Sequence, residues 1–143
     1  MADADQLFAW ANDPITRAWS KSTGPILRED HDRWMTFNVL QGYPQHIVMI
    51  ADSDYGSVGV VRFDAERRDV MRYRVSITIA PQFRGRGYAH GVLAEACRHM
   101  PDSTLLAEIG AENDRSKRIF EKCGFEETGK MGQFLQFKRE PQA

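Results

Sequence analysis

The run from Ile77 to Ala89 (Ile-Thr-Ile-Ala-Pro-Gln-Phe-Arg-Gly-Arg-Gly-Tyr-Ala) constrains the fold more than any other stretch of the chain. Alternating Val75, Ile77 and Ile79 predict a strand, and Pro81, with no N–H to donate, ends its ladder. From Gly87 the apolar spacing becomes helical, with Ala89, Val92, Leu93, Ala96 and Met100 on one face. Gly85 and Gly87 let backbone N–H groups turn inward, and the helix N-terminus adds its partial positive charge. Such a loop suits a pyrophosphate, with Arg84 and Arg86 supplying charge beside it. The same residues also allow an ordinary strand–turn–helix junction whose arginines are merely solvated.

Two familiar phosphate loops are excluded. A P-loop needs Lys-Ser or Lys-Thr after its last glycine, where this chain has Tyr88-Ala89. A dinucleotide fingerprint needs a third small residue where His90 stands. The pattern Gln82-x-x-Gly85-x-Gly87 instead resembles the acetyl-CoA pyrophosphate loop of the GNAT acetyltransferase superfamily. Downstream, Asn113, Ser116, Phe120 and Gly124-Phe125 look like that superfamily's second CoA-binding segment, in the expected order.

At 143 residues the chain is expected to form one domain, 1–143, with a single sizeable core. Its formal net charge of -1 argues against nucleic acid or an anionic membrane as the main partner. No apolar run approaches the roughly 20 residues of a membrane span. The acidic start, Met-Ala-Asp-Ala-Asp, lacks the regions of a signal peptide, so a cytoplasmic location is expected. Cys97 and Cys123 have no metal-ligand spacing and read as small buried thiols, and no metal is expected.

Taken in order, the chain predicts a helix at 5–11 stopped before Pro14, a loop at 21–25, and a helix at 28–41 bearing His31, Trp34, Met35 and Asn38. A hairpin with strands at 46–51 and 57–63 follows, then a strand at 70–80, a helix at 87–99 and a strand at 104–109. A helix at 114–123 and strands near 125–129 and 133–138 close the sequence. This order predicts an α/β (α+β) fold: a mixed sheet of about six strands with helices on both faces, as in GNAT proteins. The superfamily normally opens with a further strand. Its apparent absence here means either a chain truncated at its start or a missing strand, and predicts a bare edge at 47–51. Other backbone, such as a second copy of the chain in a homodimer, is expected to cover that edge.

The resemblance implies acetyl transfer from acetyl-CoA to a primary amine. It places the backbone of Ile77 and Ile79 against pantetheine and thioester, and the amides of Arg84, Gly85, Arg86, Gly87, Tyr88 and Ala89 on the pyrophosphate. Asn113 and Ser116 would hydrogen-bond the cofactor, with plain helix capping as the structural alternative. Phe120 stands where many members carry a tyrosine acid, so the acid is unassigned: either the thiolate leaves without a partner, or another hydroxyl, Tyr88 or Tyr73, substitutes. Glu108, on a central strand, is the candidate base; an ion pair with Arg62 or Arg74 is the structural alternative.

The first third of the chain resembles a narrower group: acetyltransferases of nucleotide-linked amino sugars in the pseudaminic and legionaminic acid pathways of bacterial surface glycans. The likeness rests on Trp10 to Trp19, Pro25-Ile26, Glu29-Asp30-His31, Gly59 to Asp64 and Glu108. It implies acceptor contacts from Asn12, Arg17, Trp19, His31 and Arg62, with the arginines facing a diphosphate and a tryptophan stacked on a ring. Tryptophans at helical spacing are also ordinary core residues. Two other readings stand beside this one: a ribosomal-protein-type N-terminal acetyltransferase, and a non-catalytic acyl-CoA-binding module.

Overall fold

A computed structural model describes residues 2–13, 27–34, 46–66 and 69–142. Helices α1 (Ala2–Ala11) and α2 (Arg28–Trp34) precede strands β1 (His46–Ser53), β2 (Gly56–Glu66) and β3 (Asp69–Ile79). A 3-10 turn (Pro81–Phe83) leads to α3 (Tyr88–Arg98), then β4 (Thr104–Gly110), α4 (Asp114–Lys122), β5 (Glu126–Met131) and β6 (Phe134–Arg139). The expected elements are present with ends moved by a few residues. The part of the 28–41 helix beyond Trp34 lies outside the described residues. Helix α1 ends at Ala11, short of Pro14.

The strands form one six-stranded sheet in the order β1-β2-β3-β4-β6-β5. Every pairing is antiparallel except β3 with β4. Strand β1 ends the order, so the expected edge at 47–51 is an edge of the described sheet. The opposite edge, β5, carries Glu126, Glu127 and Lys130 and a register break before Gly129, features that discourage further pairing.

Strand side chains alternate between two faces, and that alternation builds the core. Val61, Phe63, Val75, Leu105, Ala107, Ile109, Leu135 and Phe137 lie on one face. They pack under Leu93, Ala96 and Cys97 of α3, with Phe120 of α4 and Phe125. Cys97 completes the apolar stripe expected of α3, and burial pushes its thiol up to about 11, which keeps it unreactive. On the other face, α1 sets Leu7 and Trp10 against a second cluster with Val58, Ala80 and Phe83. Helices therefore cover both faces. Arg28 ties α2 to α1 by pairing with Asp5, and it also pairs within α2 with Asp32 at 2.8 Å.

The sheet is not continuously bonded. Strands β3 and β4 pair only at Arg72–Thr104, Tyr73–Leu105 and Arg74–Leu106. Beyond that point β3 stays with β2 as far as Ile79, and β4 stays with β6 as far as Gly110, so the two halves part into a V.

Gly59 sits beside this opening. A Cβ there would lie 2.7 Å from the Thr78 carbonyl oxygen and 3.0 Å from Ile79 Cδ1. The nearer atom is backbone and cannot swing aside, so Gly59→Ala should destabilise the fold by about 1–3 kcal/mol. Urea unfolding measures this, and a loss within error of zero would show that β2 and β3 accommodate the methyl group.

Candidate active site

The V exposes backbone that a bonded sheet would hide. Ala80 N–H donates to Val58 C=O at 2.8 Å, toward β2. Alternation along the extended strand then turns the N–H and C=O of Ile79 and Ile77 the other way, into the opening. On the opposite wall Ala111 N–H donates to Gln133 C=O at 2.9 Å, so the same rule turns the backbone groups of Gly110 and Glu108 inward. A slot lined by peptide groups fits the amides of a pantetheine arm.

The loop at the mouth of the V follows the 3-10 turn. Gly85 and Gly87 have φ of 74° and 82°, in the left-handed region where a side chain is strained. Gly87 is the N-cap of α3, so the first amides of the helix point out of its end toward the loop. Gly85, Arg86 and Gly87 are exposed, as a phosphate cradle must be. The two arginines differ. Arg86 makes no ion pair among the described residues, whereas the Arg84 guanidinium pairs with Asp13, 2.5 Å from its carboxylate. Tyr88 opens α3 with its ring edge-to-face against Phe83 at 5.5 Å. Tyr73 lies at the bonded end of β3 against Phe63. Of the two hydroxyl candidates, Tyr88 is the one at the loop.

Helix α4 begins below the other arm. Asn113 is its N-cap, with Oδ1 accepting from Ser116 N–H at 3.3 Å, so the capping role is present in the structure. Phe120 is buried in the main core, edge-to-face with Phe125 at 5.0 Å.

On the far side of the sheet a cavity of about 260 Å³ opens between helices α1 and α2 and the strands. Its floor consists of two registered rows, Val48–Arg62–Ser76 and Val60–Thr78, and its roof of Leu7, Trp10, Ala11, Asp30 and His31. His31 and Arg62, both expected at the acceptor, are thus brought together. Asn12 follows Ala11 at the end of α1, and its N–H donates to Phe8 C=O at 3.1 Å. Arg17 and Trp19 lie outside the described residues. Ser76 and Thr78 were missed by the sequence reading, although the alternation that sends Val75 and Ile77 to one face sends them to the other.

His31 is buried, with its ring edge-to-face against Phe8 at 5.3 Å. Burial lowers its pKa below the ordinary value, with Arg28 acting in the same sense and Asp32 against it. Arg62 pairs with Asp64 at 3.0 Å. Glu108 meets Arg74 at 3.3 Å, and Arg74 also reaches Glu66 at 3.2 Å. Of the two partners considered for Glu108 as a structural residue, Arg74 stands against it. Among the described residues, no group of three His, Cys, Asp or Glu side chains gathers to hold a metal ion.

Residues 1–126 match the family described as Acetyltransferase (GNAT) domain. The chain belongs to the GNAT acetyltransferase family. No curated protein matches the sequence. Among solved structures, one provisionally assigned as a phosphinothricin N-acetyltransferase superposes with a TM-score of 0.81 at 24% identity, over 99% of this chain and 94% of that one. Ribosomal-protein-alanine N-acetyltransferase from Brucella melitensis gives 0.80 at 23% identity, over 97% and 94% of the two chains. Spermidine N-acetyltransferase from Vibrio cholerae, in complex with CoA and spermine, gives 0.78 at 15%, over 96% and 87%. At these identities the likeness is one of fold. GNAT enzymes use acetyl-CoA, and the V-shaped slot, the outward amides and the open glycine loop fit that donor. Among the described residues, no helix is long and apolar enough to cross a membrane.

Buried His31 also links the cavity to pH. Its folded pKa lies below the unfolded value of 6.5, so the unfolded chain binds the proton more readily. Stability should therefore be fully present above about pH 6.5 and fall as pH drops through the window down to the folded value. His31→Gln should flatten that part of the curve. Urea midpoints between pH 7.5 and 5 test it, and identical pH slopes in the two proteins would remove His31 as the cause.

Proposed function

We propose that this GNAT acetyltransferase acetylates the primary amine of a nucleotide-linked amino sugar, acting in the cytoplasm in bacterial surface-glycan biosynthesis. The observation that carries the reading is the cavity over Arg62, Ser76 and Thr78. At about 260 Å³ it falls below the roughly 300–1,000 Å³ of drug-sized sites. It therefore suits one ring with its amine, leaving a nucleotide outside. Its walls of Leu7, Trp10, Ala11, Val48 and Val60 favour an apolar ring face, while His31, Ser76 and Thr78 offer hydrogen bonds. A polyamine acceptor calls for an excess of carboxylates, and this lining has Asp30 set against Arg62. A peptide N-terminus with a small first side chain is the second reading, since it also fits a short apolar cavity.

Bound acetyl-CoA supplies the acetyl group as a thioester. The chain's own residues do the rest. Ile77 and Ile79 offer backbone N–H groups to the thioester region, where a donor set for the oxyanion is worth about 2.7–4 kcal/mol in measured cases. Arg86 and the loop amides fix the pyrophosphate, with Asn113 and Ser116 at the start of α4 completing the donor side. Arg74 fixes Glu108 on the wall of the V, from which it takes a proton from the acceptor's ammonium, directly or through a water, leaving a neutral amine to attack. On the acceptor side, contacts are assigned to His31 and Arg62 and, from the sequence alone, to Asn12, Arg17 and Trp19. A second copy of the chain pairing along β1 would cover the sheet edge.

A thiol-release assay with acetyl-CoA tests the acceptor class, using a UDP-linked 4-amino sugar, spermidine and an alanyl peptide. Turnover is expected on the sugar nucleotide. Turnover on the peptide alone would favour the second reading, and CoA binding without turnover on any amine would indicate a binding module.

Glu108→Gln keeps shape and hydrogen bonding while removing the charge. It should lower kcat by about 10²–10⁴-fold, with rate partly restored as rising pH supplies unprotonated amine. An unchanged kcat accompanied by a lower Tm would make Glu108 a structural partner of Arg74 only.

A further inference from the structure

We propose that Asp13, at the end of the acceptor-side helix, is a positioning residue for the donor. It holds Arg84, and through Arg84 the loop to Ala89, in the shape that receives the pyrophosphate of acetyl-CoA. The inference rests on the donor-site reading above and goes beyond it, because it makes an anionic side chain necessary for binding an anionic ligand.

Three observations carry it. The first is the pair itself: Arg84 Nη1 lies 2.5 Å from Asp13 Oδ2, between residues 71 positions apart in sequence. Both side chains are largely enclosed, at 22% and 14% exposure, so this is not a screened surface contact. Removing one partner would leave the other charge poorly solvated.

The second is where Arg84 sits. Its N–H closes the 3-10 turn onto Pro81 C=O at 3.4 Å, and its own backbone is extended, with φ −69° and ψ 149°. Immediately afterwards come the left-handed Gly85 and Gly87. Arg84 is therefore the last residue with an ordinary conformation before the loop turns. Gly85 and Gly87 have nothing within 4 Å of where a Cβ would stand, so local packing does little to fix them. The direction in which the chain enters the loop depends on what holds Arg84, and Asp13 holds it.

The third is a matter of sign. A carboxylate close to a phosphate loop opposes the ligand by Coulomb repulsion. If charge alone mattered, removing it would tighten CoA binding. If geometry matters more, removing it loosens binding. The pair also joins the end of α1, one of the walls of the acceptor cavity, to the donor loop, so the two substrates meet surfaces that share one contact.

The test is calorimetric titration of CoA into the full chain for wild type, Asp13→Asn, Arg84→Gln and the double variant, at a temperature where circular dichroism shows each to be folded. Each single change should weaken CoA binding about tenfold, and the double change should be no worse than either single one. In turnover the loss should fall on the KM for acetyl-CoA more than on kcat, and Asp13→Glu should recover part of it. Asp13→Asn with wild-type or tighter CoA affinity would overturn the inference, even if its Tm were lower, as would single effects that add in the double variant. Should Asp13→Asn not fold, Asp13→Ser replaces it: the carboxylate is lost while a small polar side chain remains, and unchanged affinity overturns the proposal. A wild-type chain that binds no CoA would overturn the donor-site reading and this inference together, whereas wild-type binding with an unaffected Asp13→Asn rejects the inference alone.

Discussion

The structure depends on where β3 and β4 stop bonding. Backbone groups buried without partners are costly, so a sheet normally closes every ladder it can. Here three registered pairs hold the strands together at one end, and each strand then keeps only its outer neighbour. The cost of the open peptide groups is limited because the V reaches solvent, where water can satisfy them until a ligand does. A ligand with amides of its own can then bind as if it were an added strand. The same opening brings the end of β3, the glycine loop and the start of α3 to one rim, the continuous stretch of chain to which the proposed function assigns both pyrophosphate and thioester.

Strand alternation divides the remaining work. Val75 and Ile77 pack toward the main core, while Ser76 and Thr78 line the cavity opposite. A single strand thus anchors the fold with one set of side chains, lines the cavity with the other, and turns unpaired backbone groups into the V. A register slip of one residue would exchange the two sets of side chains. Gly59 helps to prevent this, because the close approach of Thr78 to its backbone leaves no room for a side chain.

What could be read in the sequence follows from the range of the interactions involved. The strand–loop–helix unit was legible because its signals are local: alternating β-branched residues, Pro81, two glycines and a helical stripe within one stretch. The N-cap at Asn113 was legible for the same reason, with Ser116 three residues away. The acceptor cavity was legible in part. His31 and Arg62 came from motif likeness, but Ser76 and Thr78 required knowing which face of β3 would be covered by α1. The fate of Arg84 was not legible. Its side chain was expected beside the phosphate, and the carboxylate that takes it lies on α1's far end, outside any local pattern. Phe120 shows the converse: a motif position that suggests chemistry is occupied by a side chain packed against Phe125.

Charge placement shows how a chain of net charge -1 can attract a polyanionic donor. The arginines on the acceptor side are held in pairs or bridges: Arg28 with Asp5 and Asp32, Arg62 with Asp64, Arg74 with Glu66 and Glu108. Exposed pairs of this kind add little to stability, so their main effect is to quiet the local potential. Arg84 is neutralised in the same way by Asp13. Arg86 has no such partner among the described residues, and it stands beside the outward amides at the N-terminus of α3. A few kT of positive potential confined to that rim is enough to orient phosphates without making the whole surface basic. The balance elsewhere suits an acceptor that must enter with its amine toward the V, because a broadly basic surface would repel the ammonium it has to receive.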